Sequence, residues 1–364
     1  MFMEFVALGC LVLSAASPQT ANKKLIEFGW DEPDTTFIKE HISEMERMPF
    51  DGCVFHVNYR KPDGGTGSFT WECWGKRKFG EEELKHAVEN LKNTPFKRFK
   101  HNFLRFNVTP GEVDWFDDFS AIISNAKLAA KIAREGGCKG LLFDIEQYNF
   151  PLFNYQKQKY REERSWNQYA LQVRRRGEEL MKAFQSEYPD ITIFLTFGYS
   201  LPWAQSDGGR KELADVSYGL LAPLLDGMVE AANGRSLIVD GCELAYPYKE
   251  VNRFEQTYKM MERDVLKIVA NPEKYRKVFS FGFGVWMDCN WRKVGWHTDD
   301  FSLNFYTPEE FERSLYAALN RSDRYVWIYT EKPRWWTASG GPQDLPDEYI
   351  QAVWNARKRI GASD

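Results

Sequence analysis

The feature that most constrains this chain is an alternation. Short apolar runs bounded by turn residues recur along it, and amphipathic helical stretches separate them. Eight such runs are read, at residues 25–30, 52–57, 103–108, 140–145, 191–197, 237–244, 278–286 and 325–330. Between them the 3.6-residue pattern predicts helices over 35–47, 81–92, 116–135, 165–188, 213–232, 251–269 and 308–320, with a last helix over 347–360. Pro308 followed by Glu309 and Glu310 marks a helix start, with proline in the first turn and acids at the positive end of the dipole. Strand and helix alternating eight times predict a single (β/α)8 TIM barrel over 22–364, an α/β fold. A doubly wound sheet would carry a glycine-rich turn after its first strand. Here that position reads Asp31-Glu32-Pro33-Asp34, and Gly64-Gly65-Thr66-Gly67 after the second run reads as a flexible loop.

Residues 5–16 form an apolar stretch that runs into small residues, Ser14 to Ser17, before Pro18. This is the layout of a signal peptide with a small-residue cleavage site, so 1–21 is read as a leader and the protein as secreted or periplasmic. The stretch is too short to span a bilayer. Past it stand Cys53, Cys73, Cys138, Cys242 and Cys289, an odd number without the spacing of a disulfide framework or a zinc site. No metal and no cofactor is expected. Lys and Arg number 48 and Asp and Glu 52, a net charge of −4. No basic stripe offers a nucleic-acid footprint, since Arg174 to Arg176 lie beside Glu178 and Glu179 on a helix.

Alternate side chains of a strand face opposite sides, and polar residues pointing inward near a barrel strand's C-terminal end lie at the active-site mouth. In the fourth run Leu141, Phe143 and Ile145 share one face, while Leu142, Asp144 and Glu146 share the other. Two carboxylates then stand about 7 Å apart at the strand's end. The seventh run brings Trp286 and Asp288 to one face, and the eighth Tyr325, Trp327, Tyr329 and Glu331. Earlier strands offer Glu27 with Asp31, His56 with Asn58, and Arg105 with Asn107; the sixth offers Glu243 and Tyr246 in an undetermined phase. Aromatic residues make up 16% of the chain, and Trp286, Trp291, Trp296, Trp335 and Trp336 follow the last two strands. Tryptophan faces suit the apolar faces of pyranose rings. The expected saccharide-binding set is Asp31, His56, Asn58, Asn107, Tyr148, Tyr246, Trp286, Trp291, Tyr329 and Trp335.

The segment 139–146 resembles the fourth-strand signature of chitinase-like glycoside hydrolases, DGxDxDxE, through Gly140, Asp144 and Glu146; Lys139 and Leu142 stand where that signature has aspartates. The resemblance implies Glu146 as proton donor and Asp144 as its partner. A second carboxylate across the mouth would come from Asp288, Glu243 or Glu331. The expected function is hydrolysis of an oligo- or polysaccharide. A carbohydrate-binding barrel without catalysis is the alternative, and a metal-dependent barrel hydrolase is disfavoured by five histidines without a ligand motif.

Overall fold

The computed structural model describes residues 23–361, so the leader read at 1–21 lies outside the described residues. Eleven strands occur among them: β1 (Lys24–Glu27), β2 (Gly52–Phe55), β3 (Asn58–Arg60), β4 (Thr66–Ser68), β5 (Phe103–Asn107), β6 (Gly140–Asp144), β7 (Thr192–Leu195), β8 (Leu237–Asp240), β9 (Phe279–Phe281), β10 (Phe283–Trp286) and β11 (Tyr325–Tyr329). Nine form one sheet in the order β10-β11-β1-β2-β5-β6-β7-β8-β9, and every pairing in it is parallel. β9 and β10 are halves of one run broken at Gly282. β9 pairs with β8 and β10 with β11, so the sheet closes on itself at eight strand positions, as a TIM barrel does.

Helices surround the barrel. Asp34 caps the helix Thr35–Met45 by accepting from the N–H of Thr36 and Phe37 at 2.9 and 2.8 Å. Thr307 and Glu310 form a capping box at the start of Pro308–Arg321, where the sequence places a helix start. Three expectations need correction. The stretch 213–232 is a 3-10 turn, Leu213–Asp215, followed by the helix Leu221–Ala231, because Gly219 lets the backbone fold back onto the Leu213 carbonyl. The helix Pro272–Val278 takes the start of the seventh strand run, which begins at Phe279. Residues 64–67 are not a flexible loop: Gly64, at φ +86, turns the antiparallel β3–β4 hairpin, and Gly67 packs under the ring of Tyr59.

The barrel has two apolar layers. Ile26, Val54, Phe103, Leu142, Phe194, Val239, Tyr325 and Trp327 fill the interior. Leu141, Phe143 and Ile145 belong to the larger layer between sheet and helices, as their alternation predicts. β1 departs from its predicted phase. Ile26 and Phe28 face inward, which turns Glu27 to the outer side, where it is fully buried. All five described cysteines are buried free thiols. No helix among the described residues is long and apolar enough to cross a membrane.

Gly284 is required by packing. A Cβ there would lie 2.7 Å from Trp327 Cε2 and 2.8 Å from Tyr246 Cε1. Gly284→Ala is expected to cost about 1–3 kcal/mol, read as a shift of the urea midpoint, because two ring systems at the barrel mouth must move.

Candidate active site

A cavity of about 700 Å³ opens at the C-terminal ends of the barrel strands. The stretch after β1 supplies Trp30 and Glu32 to its wall, and β2 leads to His56. β5 gives Arg105, β6 leads to Glu146 and Tyr148, and β8 to Glu243 and Tyr246. The last two strands add Trp286, Trp291, Tyr329, Glu331 and Arg334.

Arg105 organises one wall. Its guanidinium contacts Asp144 Oδ2 through Nη2 at 2.6 Å and Nε at 3.1 Å, and Glu32 Oε2 through Nη1 at 2.7 Å. Nη2 also lies 3.1 Å from the Tyr148 hydroxyl. Burial disfavours the charge on Glu32, but Arg105 and His56 outweigh it and hold the Glu32 carboxyl below the usual range. Glu32 and Asp34 likewise outweigh burial at His56 and raise its pKa. Arg105 also lies 4.9 Å from the rings of Phe28 and Trp71, within cation–π range.

Glu146 stands just past the end of β6. Its backbone N–H donates to Asp144 Oδ1 at 3.0 Å, which fixes the turn. The Tyr148 hydroxyl lies 3.0 Å from Glu146 Oε1 and 3.1 Å from Asp144 Oδ2. One hydroxyl hydrogen can serve only one of them at a time. If it goes to Asp144, a protonated Glu146 completes the set by donating to the hydroxyl oxygen. Burial, then the charge of Asp144, pushes the Glu146 carboxyl up to about 7. The Glu243 carboxyl is raised well above the usual range, by burial first and then by the carboxylate of Glu146. Two acids sharing a poorly solvated site cannot both ionise freely, so this pair retains a proton to higher pH than separate carboxyls would.

The aromatic lining has order. Tyr246 stacks on Tyr329 at 5.4 Å and 11°, and Trp286 meets each ring edge-on at 5.7 Å. Trp30 donates from Nε1 to the Tyr329 hydroxyl at 2.8 Å. Trp30, Trp71, Tyr148 and Trp291 are 61, 41, 44 and 70% exposed, and all four line this cavity. The other strongly exposed large apolar residues, Leu171, Val251 and Leu303, are aliphatic and lie elsewhere.

Of the residues expected from the sequence, His56, Glu146, Tyr148, Glu243, Tyr246, Trp286, Trp291, Tyr329 and Glu331 are brought together on the wall. Asp144 sits behind it, fully buried on Arg105. Five others lie off the wall. Asp31 accepts from the Trp335 N–H at 2.5 Å, and Asn58 bonds Asp34 and His56 at 3.2 Å. Asn107 is fully buried at the end of β5. Asp288 accepts from the N–H groups of Glu331 and Lys332 at 3.0 and 2.8 Å and from Trp286 Nε1 at 3.0 Å, so it anchors the loop after β11. Trp335 is fully buried, 4.7 Å from the Phe50 ring and edge-on to it, and is core rather than platform. The sequence reading passed over Trp30, Glu32, Trp71 and Arg334 as site residues, and took Arg105 no further than its inward face. For Arg105 the strand alternation was the available signal; Trp30, last in the first strand run and followed by Asp31-Glu32, had its place at a strand end, and Trp71, between Phe69 and Trp74, had none. Among the described residues no three His, Cys, Asp or Glu side chains are grouped as metal ligands.

No protein-family model and no curated protein matches the chain. Solved structures do, at low identity. A psychrophilic glycoside hydrolase family 10 endo-β-1,4-xylanase is 11% identical over 92% of this chain and 96% of its own, with a TM-score of 0.44. A putative sugar phosphate isomerase/epimerase from Anabaena variabilis is 10% identical over 94% and 100%, with a TM-score of 0.46. The GH18 chitinase ChiB of Flavobacterium johnsoniae is 10% identical over 94% and 96%, with a TM-score of 0.36.

Proposed function

We propose that this protein is a glycoside hydrolase acting on an oligo- or polysaccharide, with Glu146 and Glu243 as its carboxylate pair. The observation that carries the reading is a single cavity that holds two carboxyls raised by burial, Glu243 also by the charge of Glu146, and the four exposed aromatic side chains. Aromatic faces hold sugar rings, and the acids supply the chemistry. As the C1–O bond breaks, the Glu146 proton passes to the leaving oxygen, and positive charge grows on the ring carbon. Glu243, as the carboxylate, either bonds that carbon or takes a proton from the attacking water, according to the gap between the acids. The growing positive charge favours Glu243 giving up its share of the pair's proton to Glu146. This chemistry requires no cofactor. Secretion through the leader at 1–21 belongs to the same proposal.

Glu243 is preferred to the other two candidates. Asp288 is occupied by the loop it anchors. Glu331 sits beside Tyr329, whose hydroxyl donates to it at 3.3 Å, and its carboxyl is raised by burial and Asp288 rather than by Glu146. The test is Glu243→Gln, assayed on a panel of aryl glycosides and polysaccharides. Turnover is expected to fall about 10²–10⁴-fold, with saccharide binding retained. A near wild-type rate in Glu243→Gln together with a large loss in Glu331→Gln would transfer the second role to Glu331. Binding without turnover in the unaltered protein would favour the non-catalytic carbohydrate-binding barrel.

A further inference from the structure

The cavity wall carries three cationic or potentially cationic side chains, Arg105, His56 and Arg334, and they are not equivalent. Arg105 is spent on Glu32, Asp144 and Tyr148, and His56 faces Glu32 at 3.6 Å. Arg334 forms no ion pair among the described residues, and its Nη1 is buried without a hydrogen-bond partner. Its backbone is held nonetheless: its N–H donates to the Gln343 carbonyl at 2.8 Å, and its carbonyl accepts from Gln343 at 3.0 Å. The guanidinium carbon lies 5.8 Å from the centre of the Trp30 ring, within cation–π range. A fork of donors on an anchored backbone, beside an exposed tryptophan, is suited to a planar anion attached to a ring that stacks on that tryptophan. The carboxyls of Glu27, Asp31 and Glu331 feel the charge of Arg334 but none stands within ion-pair distance, so a bound carboxylate would be the first anion bonded to it directly.

From this we infer that the substrate is an acidic saccharide, and that Arg334 binds the carboxylate of a uronosyl ring resting on Trp30. The inference rests on the hydrolase reading of this cavity and names its substrate class. The position of the anion is restricted: Glu146 and Glu243 line another part of the wall, and beside Arg334 stands the raised carboxyl of Glu331, an acid that a bound carboxylate would meet with the charge of Arg334 between them. Arg334 is therefore a specificity residue, separate from the proton-transferring pair.

The experiment measures binding by calorimetry to the Glu146→Gln protein, which leaves substrate intact. The probes are oligogalacturonate and oligoglucuronate, each against its carboxyl-reduced neutral counterpart. At least one acidic probe is expected to bind about 10–100-fold more tightly than its neutral partner, the scale of a hydrogen-bonded ion contact. Adding Arg334→Ala should abolish the ratio, and Arg334→Lys should restore only part of it, since lysine keeps the charge and loses the fork. Melting temperatures establish that each variant is folded. Equal binding of acidic and neutral probes, no binding of any, or a preference that survives Arg334→Ala overturns the inference. Parallel assays of the unaltered protein separate the two readings. Cleavage of neutral and acidic probes with equal kcat/KM keeps the hydrolase reading and removes the role of Arg334. Cleavage of none, with an Arg334-dependent binding preference, removes the hydrolase reading alone.

Discussion

Glu146→Gln should lower turnover about 10²–10⁴-fold and leave the melting temperature near that of the unaltered protein. The amide nearly matches the carboxyl in shape, can take its place beside the Tyr148 hydroxyl, and carries no acidic proton for a leaving oxygen. Folding should tolerate the change because Glu146 makes no ion pair among the described residues and its carboxyl is already pushed toward the neutral form by burial and Asp144. Steady-state rates and a thermal melt on the same preparation check both halves. A variant that turns over at the original rate removes Glu146 from the mechanism, whatever its stability.

Arg105→Ala should be the most destabilising change at the site. The Arg105 side chain is 10% exposed and its partners Glu32 and Asp144 are 9% and 0% exposed, so truncation strands two buried carboxylates. Breaking one side of such an arrangement costs about 3–5 kcal/mol. The pH dependence has a definite sign. Glu32 is held below its usual pKa in the folded protein, so its contribution is present above the unfolded value and is lost as pH falls through the folded one. Without Arg105, only His56 opposes burial at Glu32, and acidification relieves the remaining penalty. The stability gap between the two proteins should therefore be widest near neutrality and narrow as pH falls through the carboxylate range. Urea titrations at several pH values measure it; a gap independent of pH would mean that packing, not charge, accounts for the loss.

The barrel was legible in the sequence because each strand is a short apolar run with a helix-period stretch after it. Phase was legible only where polar residues broke the run. In β6 and β11 the polar residues alternate with apolar ones, and the inward assignment of Leu142 and Trp327 follows. β1 lacks that contrast, since Leu25, Ile26 and Phe28 are apolar on both faces, as barrel strands buried on two sides are, and Glu27 was assigned to the wrong one. Glu243 was out of reach of any alternation rule. β8 ends at Asp240, Cys242 takes a left-handed φ of +41, and the short turn Glu243–Ala245 carries the carboxyl to the wall. Trp335 and Trp336 follow a strand, as a platform would, yet Asp31 draws both inward, taking the Trp335 N–H with its carboxylate and the Trp336 indole with its backbone carbonyl. Such long-range partners leave no local trace in the chain.

The pH dependence of kcat/KM on an aryl glycoside, measured with and without EDTA, tests the proposed carboxylate pair most directly. On the proposed mechanism Glu146 and Glu243 titrate as a unit, and the productive form holds one proton between them. Activity should fall as pH rises past the value at which that proton is lost, so the alkaline limb should lie no lower than about 7, against the ordinary carboxyl near 4.5, and chelator should leave it in place. An alkaline limb in the ordinary carboxyl range, or a profile that EDTA abolishes, would contradict the assignment of catalysis to these two residues.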